Sequence, residues 1–152
     1  MTYEESAGRA RERPPAAYRP EVTAKGRVAL GLGARADVPT DELARAVDAA
    51  LRQAGLDAAR VAVLATLDRR AAEAGVQGVA HRHGWPVLAF DATQLTRVDV
   101  PNPADTVAAA AGTPSVAEAA ALLAAGPGAV LVLPKMVFPR ATVAIARSSR
   151  SV

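Results

Sequence analysis

The sequence has no cysteine. Disulfides, thiolate catalysis and zinc–thiolate sites are therefore excluded. Aromatic residues make up only 3% of the chain, so its core must be built from Val, Leu, Ile and many Ala side chains. A base-stacking platform for nucleic acid needs exposed rings, and this composition argues against one. No apolar run approaches the roughly 18 residues expected of a membrane-spanning helix. The N-terminal stretch is charged and proline-bearing, without the apolar core of a secretory signal, so a cytoplasmic protein is expected. The G-x-G-x-x-G pattern of dinucleotide binding is missing too, because Ala36 stands where its third glycine would be. There is no Walker pattern and no nucleophile elbow.

What is present points to one α/β domain. With 51% hydrophobic and 22% charged residues over 152 positions, most of the chain should fold around a single core. Residues 1–26 form an Arg-, Glu-, Pro- and Ala-rich leader without helical or strand period, expected to be disordered. Residues 27–148 are the domain, and 149–152 a tail. Val28–Leu32 reads as a strand, with Gly31 and Gly33 allowing close backbone approach or positive φ. Thr40 is the expected N-cap of a helix whose apolar face is Leu43, Val47, Ala50, Leu51 and Ala54, stopped by Gly55. Val61–Leu67 reads as a strand buried on both faces. A helix over Val76–His83, closed by Gly84, leads to a third strand at Val87–Phe90.

Asp91 is placed to cap one turn containing Leu95. Asn102 and Pro103 open a helix reaching Ala111, and Ser115 with Glu118 has the capping-box spacing. Val130–Leu133, a loop over Pro134–Pro139, and Thr142–Ala146 suggest a closing hairpin with an antiparallel last strand. The fold expected is a three-layer α/β/α sandwich with a mixed, mainly parallel sheet of about five strands.

In open α/β sheets ligands gather beyond the carboxyl ends of strands, which marks Gly31–Pro39 as a functional region. The final segment carries Lys135, Arg140, Arg147 and Arg150 and no acid. His81 and His83 lie two apart on a helix and do not face each other, so no metal site is expected. The remaining parts suit carboxylates or phosphates: a glycine turn, helix N-termini and basic side chains.

Four ordered stretches resemble the C-terminal domain shared by the cobalamin biosynthesis proteins CobE and CbiG, the latter being cobalt-precorrin-5A hydrolase. They are GLGARADVPTDEL at 31–43, LATLDRRAAEAGV at 64–76, GTPSVAEAAALLAAG at 112–126 and LPKMVFPRATVAIAR at 133–147. In the second, Asp68, Arg70 and Glu73 fill the family's charged positions, and Lys135 and Arg147 match its end. Ala34 replaces a cysteine usual in the opening, and Ala36 a second basic residue.

The resemblance implies an α/β/α domain acting on corrin precursors. Because the hydrolase has further N-terminal domains, this chain is expected to be an accessory module like CobE that binds or hands over a precorrin or cobalt-precorrin. Gly31, Gly33, Arg35, Arg69, Arg70, Ser115, Lys135 and Arg140 are the candidate ligand-binding residues. The alternative is hydrolysis of the δ-lactone of cobalt-precorrin-5A with release of acetaldehyde. Asp68 or Glu118 would then be the general base, with Lys135 or Arg35 stabilising the oxyanion. No bound cofactor is expected. The expected partners are a tetrapyrrole intermediate and another enzyme of the pathway, with neither nucleic acid nor membrane. A third reading makes the chain a structural partner working through its leader.

Overall fold

The computed structural model describes residues 26–98 and 116–148. Five strands form one sheet: β1 (Val28–Ala34), β2 (Val61–Leu67), β3 (Val87–Phe90), β4 (Val130–Val137) and β5 (Ala141–Arg147), in the order β3-β2-β1-β5-β4. β1 pairs parallel to β2, and β2 parallel to β3. β5 lies antiparallel to both β1 and β4. Four strands therefore run one way and only β5 reverses, which gives the mixed sheet expected.

Helices cover both faces. Helix α1 (Thr40–Ala54) and helix α3 (Ala74–His83) pack on one side against Leu30, Leu32, Leu64, Val143 and Ile145. Leu43, Val47, Ala50 and Leu51 of α1 are buried, as the period of the sequence requires. The other side carries the short helix α4 (Ala92–Thr96) and helix α5 (Val116–Ala125), packed against Ala29, Val63, Ala65 and Phe90. β2 is buried along its whole length, because both layers cover it. No helix among the described residues is long and apolar enough to cross a membrane.

Several local expectations are corrected. Thr40 is not the N-cap of α1. Pro39 holds that position, and the Thr40 hydroxyl donates instead to the Ala74 and Gly75 carbonyls, at 3.4 and 3.3 Å. A one-turn helix α2 (Asp68–Ala71) follows β2 directly, and α3 begins two residues earlier than expected. Gly31 and Gly33 lie inside β1, which runs on to Ala34, and neither has positive φ. Pro134–Val137 is strand rather than loop.

The extra length of β4 is accommodated by irregular pairing. Leu131 faces Ala146, Leu133 faces Ile145 and Met136 faces Val143, so β4 spends an additional residue twice. Such bulges are at home in an edge strand, as is the proline between them. Gly84 closes α3, and Asp91 with Gln94 forms the capping box of α4. The segments containing Asn102–Ala111 and Ser115 lie outside the described residues.

Candidate functional site

The chain first fills one side of β1 with β2 and β3, then returns to place β4 and β5 on the other. β1 is therefore the point where connections diverge, and the crevice beyond its carboxyl end is the expected ligand position in such a sheet. The β1–α1 turn, the start of α2, the β4–β5 turn and the first residues of α5 surround that end.

The β1–α1 turn is held from two directions. On one side the Arg35 N–H donates to the Arg140 carbonyl at 3.1 Å, continuing the pairing of β1 with β5. On the other, Arg70 Nε donates to the Ala34 carbonyl at 2.9 Å, and Arg70 Nη1 contacts Glu73 Oε2 at 3.1 Å. The second oxygen of Glu73 accepts the Asp37 N–H at 3.0 Å. Asp37 has φ 59°, a left-handed conformation that is uncommon outside glycine, and the Glu73 carboxylate sits where it secures that turn. Arg70 and Glu73 thus form a brace between β1 and the start of α3. The sequence placed both in one charged motif but could not show that their partners would be backbone groups 36 residues away.

Arg140, in the β4–β5 turn, is also engaged. Its Nε donates to Glu42 Oε2 at 3.0 Å, and its Nη2 donates to Glu42 Oε1. This forked pair ties the hairpin to the first turn of α1. The hydrogen bonds from Arg140 hold the Glu42 carboxyl below its ordinary value, and the same bonds hold the guanidinium above its own. The sequence gives no local sign of this partnership, because Glu42 and Arg140 lie 98 residues apart.

Glu118 is fully buried in the first turn of α5. Its Oε2 accepts the backbone N–H of Lys135 at 2.9 Å. The bulge around Pro134 and Lys135 takes that N–H out of regular pairing, and the buried carboxylate receives it. Lys135 is partly buried and sits two residues before the end of β4. Among the sequence-selected residues, then, Glu118 and Lys135 are brought into direct contact.

Asp68 and Arg69 are exposed at the carboxyl end of β2, and Arg35 is exposed in the β1–α1 turn. Neither Arg35, Arg69 nor the Lys135 ammonium is ion-paired among the described residues. Gly33 is partly exposed beside Val116, whereas Gly31 is covered by α5. The Thr66 hydroxyl, fully buried, donates to the Leu32 carbonyl at 2.7 Å, a link between β2 and β1 that sequence reading did not anticipate. Among the described residues there is no group of three or more His, Asp or Glu side chains able to hold a metal ion.

The rim of the site therefore carries the unpaired cations Arg35, Arg69 and Lys135 beside the exposed carboxylates of Asp37 and Asp68, and the buried carboxylate of Glu118 is already committed to a backbone donor. The family described as "Cobalamin synthesis G C-terminus" matches residues 28–146. The protein CobE of Sinorhizobium sp is 36% identical over 119 residues, covering 77% of this chain and 77% of that protein. A crystal structure of CobE, a protein from the cobalamin (vitamin B12) biosynthetic pathway, superimposes with a TM-score of 0.67 and 29% identity, over 80% of this chain and 89% of that one. Cobalt-precorrin-5A hydrolase of Priestia megaterium is 28% identical over 109 residues, which is 72% of this chain but 28% of the hydrolase. Fold, sequence match and coverage of more than three quarters of CobE agree: the chain belongs to the CobE/CbiG family of cobalamin biosynthesis proteins, through the domain that forms the C-terminus of CbiG.

Proposed function

We propose that this chain binds a corrin-ring precursor in the cytoplasm and hands it to another enzyme of the pathway. The observation that carries the reading is the division of labour among the cations at the carboxyl end of β1. Arg70 and Arg140 are consumed by internal bonds that shape the turn, whereas Arg35, Arg69 and Lys135 keep their charges unpaired among the described residues. A precorrin is a large, flat macrocycle bearing several acetate and propionate groups. Spaced cations around a crevice suit such a ligand, each supplying a charge-assisted hydrogen bond.

The handover reading is preferred to lactone hydrolysis because the two candidate bases are poorly suited to activate water. Glu118 is buried and accepts a backbone N–H, and Asp68 lies open to solvent. A general base needs hydrogen-bond reach to its water in a site that positions the substrate.

The test is an anaerobic titration of the full chain with precorrin and cobalt-precorrin intermediates, followed by absorbance, with acetaldehyde assayed in the same samples. A saturable spectral change without acetaldehyde is expected, weakened at least about tenfold in Arg35→Gln or Lys135→Gln. Acetaldehyde in excess of protein, lost in Lys135→Ala, would replace this reading with the hydrolase. Absence of both signals would remove both readings.

A further inference from the structure

The opposite end of the sheet has a pocket of its own. Arg27 immediately precedes β1, Val61 opens β2, and Trp85 lies just before β3. With Ala58, Arg82 and His83 they line a pocket of about 410 Å³. No carboxylate among the described residues lines it. β1 spans seven residues, so this pocket is about 20 Å from the crevice discussed above. A ligand bound at one end does not reach the other.

The walls are fixed by bonds the fold already makes. The indole N–H of Trp85 donates to the Ala58 carbonyl at 3.2 Å. The His83 ring stacks on Trp85, with centroids 4.2 Å apart and planes 18° from parallel. One Nη2 hydrogen of Arg27 goes to the Val61 carbonyl at 3.3 Å. Arg82 also lines the pocket; its guanidinium lies 3.2 Å from Asp41 in the first turn of α1, an exposed surface pair of the kind that holds a side chain only weakly, so it can turn toward an anion.

Arg27 shows what the pocket is short of. Its guanidinium is half-buried, its Nε–H is buried without an acceptor, and no carboxylate pairs with it among the described residues. Burying a cation with an unused donor is costly unless a counter-charge stands nearby. The Nε atom itself is out of reach of solvent, so the compensation has to come as charge placed beside the outer nitrogens. One half-buried guanidinium, a second arginine within reach, an imidazole and no carboxylate among the described lining residues make the pocket's preference an anion with oxygen acceptors.

We propose that this pocket is a second binding site, which takes one phosphate or carboxylate group of a small ligand between Arg27 and Arg82, against the His83–Trp85 wall.

The chain's sole tryptophan lies in that wall, so its fluorescence reports on the site directly. The full chain is titrated with inorganic phosphate and, separately, with succinate, at ionic strength held constant with sodium chloride. A saturable change with either anion is expected. Phosphate alone would assign a phosphorylated ligand, and succinate would assign a carboxylate-bearing one. Arg27→Gln is expected to weaken the affinity at least about tenfold and Arg82→Gln several-fold, while Arg45→Gln, an equal loss of charge on exposed α1 surface, leaves it unchanged. Far-UV circular dichroism checks that Arg27→Gln folds, and if it does not, Arg82→Gln and His83→Gln decide. No saturable change with either anion, an equal response to chloride alone, or full affinity in the folded variants would overturn the site and leave the macrocycle reading untouched.

Discussion

Helix α1 covers one face of the sheet with Leu43, Val47 and Leu51, whereas α5 covers the other with Ala117, Ala120, Ala121 and Ala124. The large side chains of α1 keep its backbone away from the strands. The alanines of α5 do not. A Cβ placed on Gly31 would lie 1.9 Å from the Ala117 carbonyl oxygen and 2.8 Å from the Ala121 nitrogen. The helix backbone rests on the strand backbone at that point. Side-chain packing can yield by changing rotamers, but two backbones in contact have almost no such freedom. Helix α1 is thus tolerant in its details, and α5 sets a distance. That distance matters because Glu118 belongs to α5, and its carboxylate must meet the Lys135 N–H on β4.

Changing the side-chain volume on each face, by adding a methyl at Gly31 and removing methyls at Val47, separates the two modes most strongly. Gly31→Ala is expected to cost about 3 kcal/mol or more, since the new methyl meets backbone atoms that cannot rotate away. Val47→Ala, which removes two methyls from the α1 face, is expected to cost about 1–2 kcal/mol. Urea denaturation of both variants measures the difference. Equal costs would mean that α5 shifts freely on the strand, and the contrast between the faces would fail.

The next effect in size tests what the close approach is for. Glu118→Ala leaves the Lys135 N–H without its buried acceptor and is expected to cost about 2–3 kcal/mol. Glu118→Gln keeps a carbonyl oxygen at the same place and should lose less than half of that. The same pair of variants sharpens the functional reading. If Glu118 acts by holding the bulge, Glu118→Gln retains most of the ligand affinity and Glu118→Ala does not.

Most of the architecture was legible because its signals are local. The period of Leu43, Val47, Ala50 and Leu51, the continuous apolar run of β2, and the glycines after both long helices each follow from a few neighbouring residues. Pro134 was misread for a physical reason. Proline normally argues against a strand, and only the pairing with β5 reveals an edge strand that tolerates it at a bulge. Gly31 was read as a choice between close approach and positive φ, and only the position of α5 decides for close approach. The charged residues were found as a set, but their roles were not. Arg35, Arg70 and Arg140 look alike in sequence. One is exposed at the rim, one braces a turn and one is forked onto Glu42, because their partners come from distant elements.

That brace gives the third expected effect, smaller because it lies nearer to solvent. Glu73→Ala removes the acceptor of the Asp37 N–H and the partner of Arg70. A loss of about 1 kcal/mol is expected, with faster hydrogen exchange at Asp37. Asp37→Gly in the same background should recover part of the loss, since glycine adopts the left-handed conformation without help from Glu73. Unchanged exchange in Glu73→Ala would show that the turn stands by itself, and that the Arg70–Glu73 pair is ordinary surface charge.

The Glu42–Arg140 pair spans from α1 to the β4–β5 turn, and its contribution has a pH signature. Arg140 lowers the Glu42 carboxyl below its ordinary value of 4.5 in the folded protein, chiefly through its hydrogen bonds. The folded state therefore binds that proton less readily than the unfolded state. The pair's stabilisation is complete above the ordinary value and is lost as pH falls below 4.5 toward the lowered one. The raised guanidinium adds no pH dependence in any working range, because it stays charged throughout. Wild type should therefore melt above Glu42→Gln by a constant small margin at neutral pH, and the two curves should converge as pH drops through the carboxyl range. Added salt should narrow the margin at neutral pH, since the pair is partly open to solvent. A margin that persists after protonation would assign the link to packing of the two side-chain stems. The hairpin would then be held to α1 by contact rather than by charge, the same kind of attachment that Leu43 and Val47 make to the sheet.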